Sequence, residues 1–574
     1  MTSPTTQAYP YKNQVYEILR NQYNSQNLFN DPEFPPNERS LYYTQAPPRG
    51  VTWRRPHQIC SKPQFIVGGA SRFDLDQGYL GNCWFIAAVS MITQRPIIFN
   101  YVVPSDQTFE KSNYNGLFHF RFWQFGKWYD VVVDDFLPVF PDGRLVFCSN
   151  KTEPNEFWSC LLEKAYAKLS WSYEGLDAGQ TTDALIDMTG GIEETYDLKD
   201  VNKQAFFDVL GNGLAHDAMM GCSINGDPNI REAKLPNGLV RGHAYAITAV
   251  VTLNVNGRMV RLIRCRNPWG NDVEWNGAWS DNDSIWNSIP AIDRQNLGQF
   301  SKADGEFWMT YEDWVTYFDQ IQICNISPDT LKSSRPGGPQ GFKWNCIQFD
   351  GEWVNGRSAG GCGQGYDKAK FWINPQYLVR LAYPDPGSND CVLIVACMQK
   401  YTRQKRMQIN GESAEEFIQL RVFRVNDGVD LSVFQSGAGQ KLYPKDLERV
   451  GTTGAYINKR EVTYQCRVPP GNYIIIPSTY EANKEAKFLL RIFTESPADS
   501  ISMNIDRPDV GPNEFEFRDG KGPDINFGMK QWWESLPPAE RERVKQMLGL
   551  AAVGTVALCC CLQLLSQMSQ QEEN

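Results

Sequence analysis

Two apolar runs joined by Asn256-Gly257 constrain the fold of this chain more than any other stretch. They lie in the segment GHAYAITAVVTLNVNGRMVRLIRCRNPWG, residues 242–270. Asn-Gly between alternating apolar residues is the strongest short signal for a two-residue β-hairpin. The sequence therefore predicts two long antiparallel strands that meet at this turn.

The register of this hairpin decides which side chains can meet at its open end. Folding at the turn pairs residues whose numbers sum to about 513, which places Asn267 opposite Ala246. Asn267 then lies at the same end as His243, but a strict register puts these two side chains on opposite faces. A bulge, or irregular backbone before Pro268, is needed if they are to meet.

A second stretch, DQGYLGNCWFIAAVSMI, places Cys83 between a Gly-Asn turn and a long apolar run. The run has the length of a buried helix, and Asn82 is predicted to be its N-cap. Backbone N–H groups in the first helical turn favour a thiolate over a thiol. The position therefore suits a nucleophile, although a small buried core residue would occupy it equally well.

Composition limits the class of protein. The 574 residues predict about three or four domains. The net charge of -10 and a pI near 5.2 argue against a nucleic-acid partner, which needs a basic face. The first residues have no basic region followed by an apolar one, and the 15 cysteines show no CxxC pair. We therefore expect a cytoplasmic protein with reduced thiols.

Changes in pattern along the chain predict an α+β fold. Residues 1–54 form a polar, proline-spotted arm, and residues 55–180 mix helical spacing with the alternating strand around FHFRF. Residues 181–326 are dominated by strands, and residues 327–497 contain short strands between Gly, Pro and Asn turns, as in an all-β sandwich. Residues 498–574 form a linker and a C-terminal hydrophobic segment.

The four histidines leave one preferred candidate for a general base. His57 lies in a proline-broken linker, and His119 falls on the polar face of a strand, where a solvated position is expected. His216 follows a glycine-rich stretch and stays a candidate. His243 begins the first strand of the hairpin, where strand ends commonly present functional groups.

These residues suggest roles in acyl chemistry. Cys83 would attack a carbonyl, and His243 would hold the proton and return it to the leaving amine. The amide of Asn267 would orient the imidazole, and Gln77 with the backbone N–H of Cys83 would form an oxyanion hole. Each of these residues also has an ordinary structural explanation. Gln77 would be a turn residue, His243 a hydrogen-bonded histidine in a strand, and Asn267 a capping residue.

The motifs around these residues are similar to those of the calpains, calcium-dependent papain-like cysteine proteases. Core motifs include QGYLGNCWFIAA, NEFWSCLLEKAYAKL, TGGIEE, GHAYAIT, RNPWGNDVEWNGAWSD and DGEFWMTYEDW. The motifs GRSAGGC, FWINPQYLVRL and VPPGNYIIIPSTYEANKEAKFLLRIF are similar to the family's β-sandwich domain. The resemblance runs from about residue 55 to 496. It implies a two-lobed papain-like core, a Cys lobe (55–180) and a His/Asn lobe (181–326), followed by a C2-like sandwich (327–497).

The resemblance also assigns site residues. It implies that Cys83, His243 and Asn267 form the catalytic triad and that Gln77 is the oxyanion residue. Trp269 matches the tryptophan that blocks the site of these enzymes until Ca²⁺ binds.

Two calcium sites are implied by the same resemblance. The first falls on the carbonyls of Val67 and Gly69 and the carboxylates of Asp74 and Glu153. The second falls on the following residues: Glu274, Asp281, Asp304 and Glu306, with the carbonyl of Lys302. Oxygen ligands of this kind suit Ca²⁺. Two departures from the family pattern stand out: one extra residue in WGNDVEW, and a lysine at 302 where the family has an apolar residue.

The C-terminal part resembles an atypical calpain. Conventional family members end in a penta-EF-hand domain that pairs with a small regulatory subunit. About eighty residues follow the predicted sandwich, and they contain no D-x-[DN]-x-[DN]-G loop. We therefore expect no EF-hand-mediated regulatory subunit.

The resulting hypothesis is a calcium-dependent cysteine endopeptidase that performs limited proteolysis of intracellular proteins. One alternative is a calcium-dependent acyl transferase, since transglutaminases also use a Cys-His site, although with an acid in place of Asn267. Another is a catalytically silent, membrane-associated scaffold that binds through its sandwich. The intact Cys83, His243, Asn267 and Gln77 argue against the scaffold.

The segment 547–565 is predicted to anchor the chain on a membrane, with the catalytic part facing the cytosol. It has 19 uncharged residues, which as a helix reach roughly the ~30 Å of a bilayer core. Three adjacent cysteines within it, Cys559, Cys560 and Cys561, offer acylation sites. A helix packed on the sandwich or on a partner would use the same alanines and leucines, so both interpretations stay open.

A chain ending at Gln546 should lose membrane association, because it lacks this apolar segment. Fractionation of cells that express the full chain and the shortened chain measures this. The prediction fails if the full chain stays in the soluble fraction, or if shortening it does not change where it goes.

Overall fold

The computed structural model describes most of the chain up to residue 503. The described ranges are 8–215, 217–226, 230, 232–299, 304–326, 345–363, 368–409, 414–431 and 441–503. Lys302 and the predicted apolar helix 547–565 lie outside these residues. Within the described ranges, no helix is both long and apolar enough to cross a membrane. Membrane association through 547–565 therefore stays a prediction.

The Cys lobe packs helices against a small sheet that the N-terminal arm extends. Strands β3 and β4 are antiparallel, and β1 of the arm adds parallel to β4. The alternating strand predicted around FHFRF is confirmed as β3. The elements are β1 (Tyr9–Pro10), α1 (Tyr16–Gln22), β2 (Thr52–Arg54), α2 (Pro56–Ile59), α3 (Cys83–Ile92), α4 (Pro96–Val102), β3 (Leu117–Gln124), β4 (Lys127–Asp134), β5 (Leu137–Val139) and α5 (Trp158–Leu169).

The His/Asn lobe is built on a six-stranded antiparallel sheet in the order β12-β11-β10-β7-β13-β6. Its elements are α6 (Thr181–Thr189), β6 (Ile192–Asp197), α7 (Lys203–Ala215), β7 (Met219–Ile224), β8 (Ala233–Lys234), β9 (Val240–Arg241), β10 (His243–Val255), β11 (Arg258–Arg266), α8 (Ala291–Asn296), β12 (Glu306–Thr310), α9 (Tyr311–Tyr317) and β13 (Gln320–Asn325).

The predicted hairpin is confirmed as β10 and β11. Asn256 and Gly257 both have positive φ, at 52° and 84°. Positive φ at both central residues is what a type I′ turn requires, and that turn matches the twist of the flanking strands. The Asn-Gly pair therefore sets where the two strands begin to pair.

The β-rich part that follows is a sandwich of two antiparallel sheets, in the orders β14-β21-β16-β19 and β18-β17-β20-β15-β22. Side chains of both sheets share one buried cluster that includes Leu393, Leu490, Leu420 and Ile475. The elements are β14 (Asn345–Trp353), β15 (Tyr377–Leu381), β16 (Cys391–Gln399), α10 (Thr402–Gln408), β17 (Ile418–Val425), β18 (Leu447–Thr452), β19 (Glu461–Val468), β20 (Gly471–Thr479), β21 (Ala486–Thr494) and β22 (Asp499–Ser502). The α+β fold class is confirmed; the boundaries at 54, 180, 326 and 497 stay predictions.

Two arginines of the sandwich, one buried and one partly buried, hold helix α6. Arg460 contacts Asp187 at 2.6 Å, and Arg403 contacts Asp183 at 2.9 Å. The guanidinium of Arg403 also lies 4.1 Å from the ring of Trp84, the residue after Cys83. The sandwich therefore also contacts α3, the helix that carries the candidate nucleophile Cys83.

A fully buried ion pair, Arg491 with Glu461, lies where the sandwich contacts the end of α6. Nη2 of Arg491 donates to both carboxylate oxygens of Glu461, at 2.6 and 2.8 Å. Nη1 of Arg491 donates to the carbonyl of Gly190 at 2.9 Å. The two side chains are 1% and 0% exposed. Removing one partner of such a pair leaves an uncompensated charge, which costs about 3–5 kcal/mol.

Replacing Arg491 by Met should therefore lower the free energy of unfolding by about 3 kcal/mol and lower the thermal midpoint by several degrees. Differential scanning calorimetry of the full chain measures the midpoint.

The double variant Arg491→Met/Glu461→Met should recover most of the loss, because no charge is left buried. Arg449→Met is the matched control, since Arg449 is an exposed arginine of β18. A midpoint of Arg491→Met equal to that of Arg449→Met would contradict the expectation.

Candidate active site

Cys83 is the first residue of α3, a helix that is buried along its whole length. The prediction that Asn82 is the N-cap is confirmed, although its side chain makes no capping bond. Its amide instead donates to the buried carboxylate of Glu163 at 2.6 Å. The first-turn N–H groups of a helix have no intrahelical partner, so the end of α3 favours a negative charge beside Cys83.

A β-bulge in β10 brings His243 and Asn267 to one face. The pairing of β10 with β11 follows the predicted register as far as Ala249 and then shifts by one residue at Thr248. Continued beyond the bulge, this register places Asn267 opposite Tyr245, on the same face as His243. The Nε2 atom of His243 lies 2.7 Å from Oδ1 of Asn267.

Two further contacts fix the orientation of the Asn267 amide. Its Nδ2 donates to the carbonyl of Val273 at 2.8 Å, and its Oδ1 accepts from the backbone N–H of Trp269 at 3.0 Å. Because Oδ1 is the acceptor, Nε2 of His243 must be the protonated, donating nitrogen. The other ring nitrogen, Nδ1, lies on the side of the imidazole that faces away from Asn267 and is the one available for proton transfer.

Cys83, His243 and Glu232 meet at that side. The Cys83 sulfur, a Glu232 carboxylate oxygen and a His243 ring nitrogen all lie within 4.8 Å of one another. Within this group, Nδ1 of His243 lies 2.9 Å from Oε1 of Glu232. Sequence reasoning missed Glu232, because it lies in an irregular stretch with no periodicity or motif of its own.

The surroundings of His243 favour its charged form. Burial lowers the pKa of His243, but the negative charges of Cys83 and Glu232 more than offset burial and raise the pKa to about 10. An imidazolium at neutral pH can give a proton to a leaving amine. The site therefore places a charged imidazole beside the sulfur of the candidate nucleophile.

Gln77 lies six residues before Cys83, in irregular backbone of the Cys lobe that contacts the His/Asn lobe. Its Nε2 donates to the carbonyl of Leu80 at 2.7 Å, and its backbone N–H donates to the carbonyl of Pro268 at 3.2 Å. One of the two hydrogens on Nε2 of Gln77 is thus bonded to Leu80, and the second can serve another acceptor.

Trp269 packs directly on the imidazole. The ring centroids of Trp269 and His243 are 4.8 Å apart at an angle of 49°. The carbonyl of Trp269 accepts from Nζ of Lys151, in the Cys lobe, at 3.1 Å. The indole therefore lies against the imidazole of His243, which is buried.

A paired arginine and glutamate also join the lobes. Arg72 of the Cys lobe donates Nε and Nη2 to the two carboxylate oxygens of Glu306, at 2.9 and 2.8 Å. This two-bond geometry fixes direction as well as distance. The pKa of Glu306 is lowered; its burial acts in the opposite direction and is outweighed by Arg72 and Arg264.

The first predicted group of calcium ligands is brought together in part. Asp74 is buried, while Val67 and Gly69 lie in a bend of the backbone with Gly69 at positive φ. Glu153 is exposed on the loop before α5. A carboxylate missed in the sequence, Glu156, accepts from the N–H of Val67 at 2.6 Å, and burial together with the charge of Asp74 raises its pKa to about 7.

The second predicted group converges more clearly. Burial, together with the charges of Asp281 and Asp304, raises the pKa of Glu274 to about 8. The carboxylate of Glu274 also accepts from the N–H of Gly305 at 2.7 Å. Three acids thus face a common region, whereas Glu306 is directed to Arg72; Lys302 lies outside the described residues.

His119 is not solvated, contrary to the prediction. It is 2% exposed, and its two ring nitrogens contact Asp130 and Asp106 at 2.7 and 2.9 Å. Its ring stacks on that of Tyr16 at 3.6 Å. The polar face of β3 is buried because the N-terminal arm covers it, which the strand pattern alone does not show.

Comparison with known proteins places the chain in a family of proteases. A family model described as "Calpain family cysteine protease" matches residues 29–325, and "Calpain large subunit, domain III" matches residues 349–493. The chain belongs to the calpain family of cysteine proteases. The papain-like core followed by a β-rich domain III agrees with the predicted order.

Relatives from several animals are similar over most of this chain. Calpain-A of Drosophila melanogaster is 45% identical over 85% of this chain and 58% of the relative. Calpain-1 catalytic subunit of Gallus gallus is 40% identical over 93% of this chain and 74% of the relative. Calpain-2 catalytic subunit of Homo sapiens is 39% identical over 93% of this chain and 75% of the relative. The chain spans 58% and 52% of the length of the Drosophila relatives Calpain-A and Calpain-B.

Replacing Glu232 by Gln should move the alkaline limit of activity to lower pH. The carboxylate raises the pKa of His243, so its loss should lower that pKa by at least about one unit. We expect the protonated imidazole to be the active form, so the rate should fall as pH rises through this pKa. The pH profile of kcat/KM for a fluorogenic peptide measures the shift.

Glu312→Gln serves as the control, since Glu312 is an exposed glutamate that pairs with Arg261. Superimposable alkaline limbs for wild type and Glu232→Gln would show that Glu232 does not act on His243.

Proposed function

We propose that this chain is a calcium-dependent cysteine endopeptidase that makes limited cuts in cytosolic proteins. One observation carries the proposal: Cys83 of one lobe lies beside His243 of the other, with its sulfur within 4.8 Å of a ring nitrogen. Nε2 of the same His243 lies 2.7 Å from Oδ1 of Asn267. This arrangement supports a protease triad of nucleophile, base and orienting amide, which is recognised by geometry and not by sequence position.

The first half of the reaction forms an acyl-enzyme. The Cys83 sulfur attacks the carbonyl carbon of the scissile peptide, forming a C–S bond as the carbonyl becomes an oxyanion. The imidazolium of His243 gives its Nδ1 proton to the nitrogen of the leaving amine as the C–N bond breaks. The amine product leaves, and a thioester remains on Cys83.

The second half returns the enzyme to its starting state. Nδ1 of His243, now unprotonated, takes a proton from water while the oxygen of that water attacks the thioester carbonyl. The C–S bond breaks, the acid product leaves, and Cys83 is again a thiolate beside an imidazolium. The amide of Asn267 keeps Nε2 protonated throughout, so Nδ1 alone exchanges protons.

The oxyanion of both halves needs donors that are already in place. The backbone N–H of Cys83, at the start of α3, and the free amide hydrogen of Gln77 are the proposed donors. Loss of one such donor commonly costs about 10²–10³ in kcat.

The family implies Ca²⁺, and two groups of carboxylates fit it. Their donor atoms are all oxygen, which suits this cation. Repulsion contributes to the raised pKa values of Glu156 and Glu274, as expected where acids cluster around a cation site. Glu274, Asp281 and Asp304 would hold one ion, and Asp74 and Glu153 with nearby carbonyls another. Bound there, Ca²⁺ supplies positive charge that offsets the repulsion on either side of the lobe junction.

Trp269 is proposed to gate the site. Here it packs on His243, where it shields the imidazole from water. A different placement of the same indole, between the lobes, would keep Cys83 and His243 apart, as the calpain resemblance implies.

The cysteines support a cytosolic setting. Within the described part of the chain, twelve cysteines are present and every one is a free thiol. A reducing compartment keeps thiols in this state. Protein substrates follow from the endopeptidase assignment, and membrane association through 547–565 is proposed as an addition to this setting.

The test is cleavage of casein by the full chain, with Ca²⁺ and with excess chelator, beside Cys83→Ser and His243→Ala. We expect cleavage by wild type in Ca²⁺ only and a loss of at least about 10³-fold in each variant, because nucleophile and base act as one unit. No cleavage by wild type under any condition would favour the scaffold; amine incorporation into casein without cleavage would favour the acyl transferase.

Variants of the acidic groups test where Ca²⁺ acts. Asp304→Ala and Glu153→Ala should raise the Ca²⁺ concentration for half-maximal activity by at least about tenfold, since a ligand is lost from each group. Asp293→Ala, at an exposed acid of α8, is the matched control and should leave the requirement unchanged. Full activity of wild type in excess chelator would overturn the calcium assignment.

A further inference from the structure

The active site contains a carboxylate, that of Glu232, which peptide hydrolysis does not require and which completes a set of metal-binding atoms. A sulfur of Cys83, a nitrogen of His243 and a carboxylate oxygen of Glu232 lie within 4.8 Å of one another. One sulfur, one nitrogen and one oxygen are the ligands that Zn²⁺ takes in proteins, whereas Ca²⁺ takes oxygen. The set therefore differs in kind from both acidic groups described above.

We propose that Cys83, His243 and Glu232 bind one Zn²⁺ ion and that the bound ion holds the enzyme inactive. The catalytic reaction needs the first two residues; Glu232 is the group that converts the pair into a three-ligand site. Three protein ligands leave a fourth position of the tetrahedral ion for water.

The distances suit this ion. Ligand atoms at about 2.0–2.3 Å from a tetrahedral Zn²⁺ lie roughly 3–4 Å from one another. The Nδ1–Oε1 separation of 2.9 Å is already close to that range. The sulfur lies within 4.8 Å of both partners, and small rotations of the Cys83 and Glu232 side chains bring it into range.

The surroundings of His243 are those of a metal ligand. A zinc-binding imidazole usually donates its other ring N–H to an oxygen, which fixes the tautomer. Oδ1 of Asn267 accepts from Nε2 at 2.7 Å and thus leaves Nδ1 to face the ion. The ring of Trp269 covers the imidazole and keeps bulk water from one side.

Charge also balances. A thiolate and a carboxylate carry two negative charges, which Zn²⁺ neutralises, while the imidazole binds in its neutral form. On binding, the Nδ1 proton goes to solvent, and a sulfur lone pair forms the bond to the metal. No electron is transferred, and the sulfur is no longer free to attack a carbonyl.

Binding can be measured without any assay of activity. Co²⁺ is the probe, because a bond between Co²⁺ and a thiolate gives a charge-transfer absorption band in the near ultraviolet. The full chain titrated with Co²⁺ should show one such band that is missing in Cys83→Ser and is displaced by Zn²⁺. In Glu232→Gln the affinity should fall at least about tenfold, while Glu312→Gln should match wild type.

Alkylation gives an independent measure of the same site. Zn²⁺ should slow the reaction of Cys83 with iodoacetamide, followed by mass spectrometry of the peptide that contains this residue. The protecting concentration should be at least about tenfold higher in Glu232→Gln. Ca²⁺ at the same concentration should give no protection.

The third experiment, inhibition of casein cleavage by Zn²⁺, rests on the proposed function and is interpreted separately from the first two. Zn²⁺ should inhibit at saturating Ca²⁺, with each variant compared with its own metal-free rate, and Glu232→Gln should need at least about tenfold more Zn²⁺. If casein is never cleaved, the proposed function fails, but the Co²⁺ and alkylation results still decide the metal site. Equal affinity for Co²⁺ in wild type and Glu232→Gln, or no band that depends on Cys83, would overturn the proposal.

Discussion

The arrangement of the site depends on one extra residue in one strand. The bulge at Thr248 turns the end of the hairpin so that His243 and Asn267 share a face. The hydroxyl of Thr248 accepts from Nε of Arg264 at 2.8 Å and donates to Glu306 at 3.0 Å. Because Glu306 also binds an arginine of the other lobe, the residue that sets the register is tied to the contact that holds the lobes together.

Much of the framework could be predicted from short-range rules. Asn256-Gly257 favours positive φ, so the hairpin and the strands on either side of it followed from the turn alone. The apolar run after Cys83 was long enough to predict a helix that begins there. The bulge could not be placed, because Thr248 is a β-branched residue that suits a regular strand equally well.

Contacts between distant segments account for what sequence reasoning missed. His119 was expected in solvent from strand alternation, but a segment about a hundred residues earlier covers that face. Glu232 lies in an irregular stretch, so only the folded chain shows that it faces His243. The clustering of Glu274 and Asp304 was implied by the calpain resemblance and by no local pattern.

The contact of Arg403 with Trp84 has a consequence for how such chains diverge. Because a sandwich arginine lies on the residue next to Cys83, and Arg460 binds Asp187 in the core, the two parts cannot be exchanged freely between relatives. A sandwich lacking these arginines would leave buried acids of α6 without a counter-charge. Shuffling of the two parts in evolution would therefore require the arginines and the acids to change together.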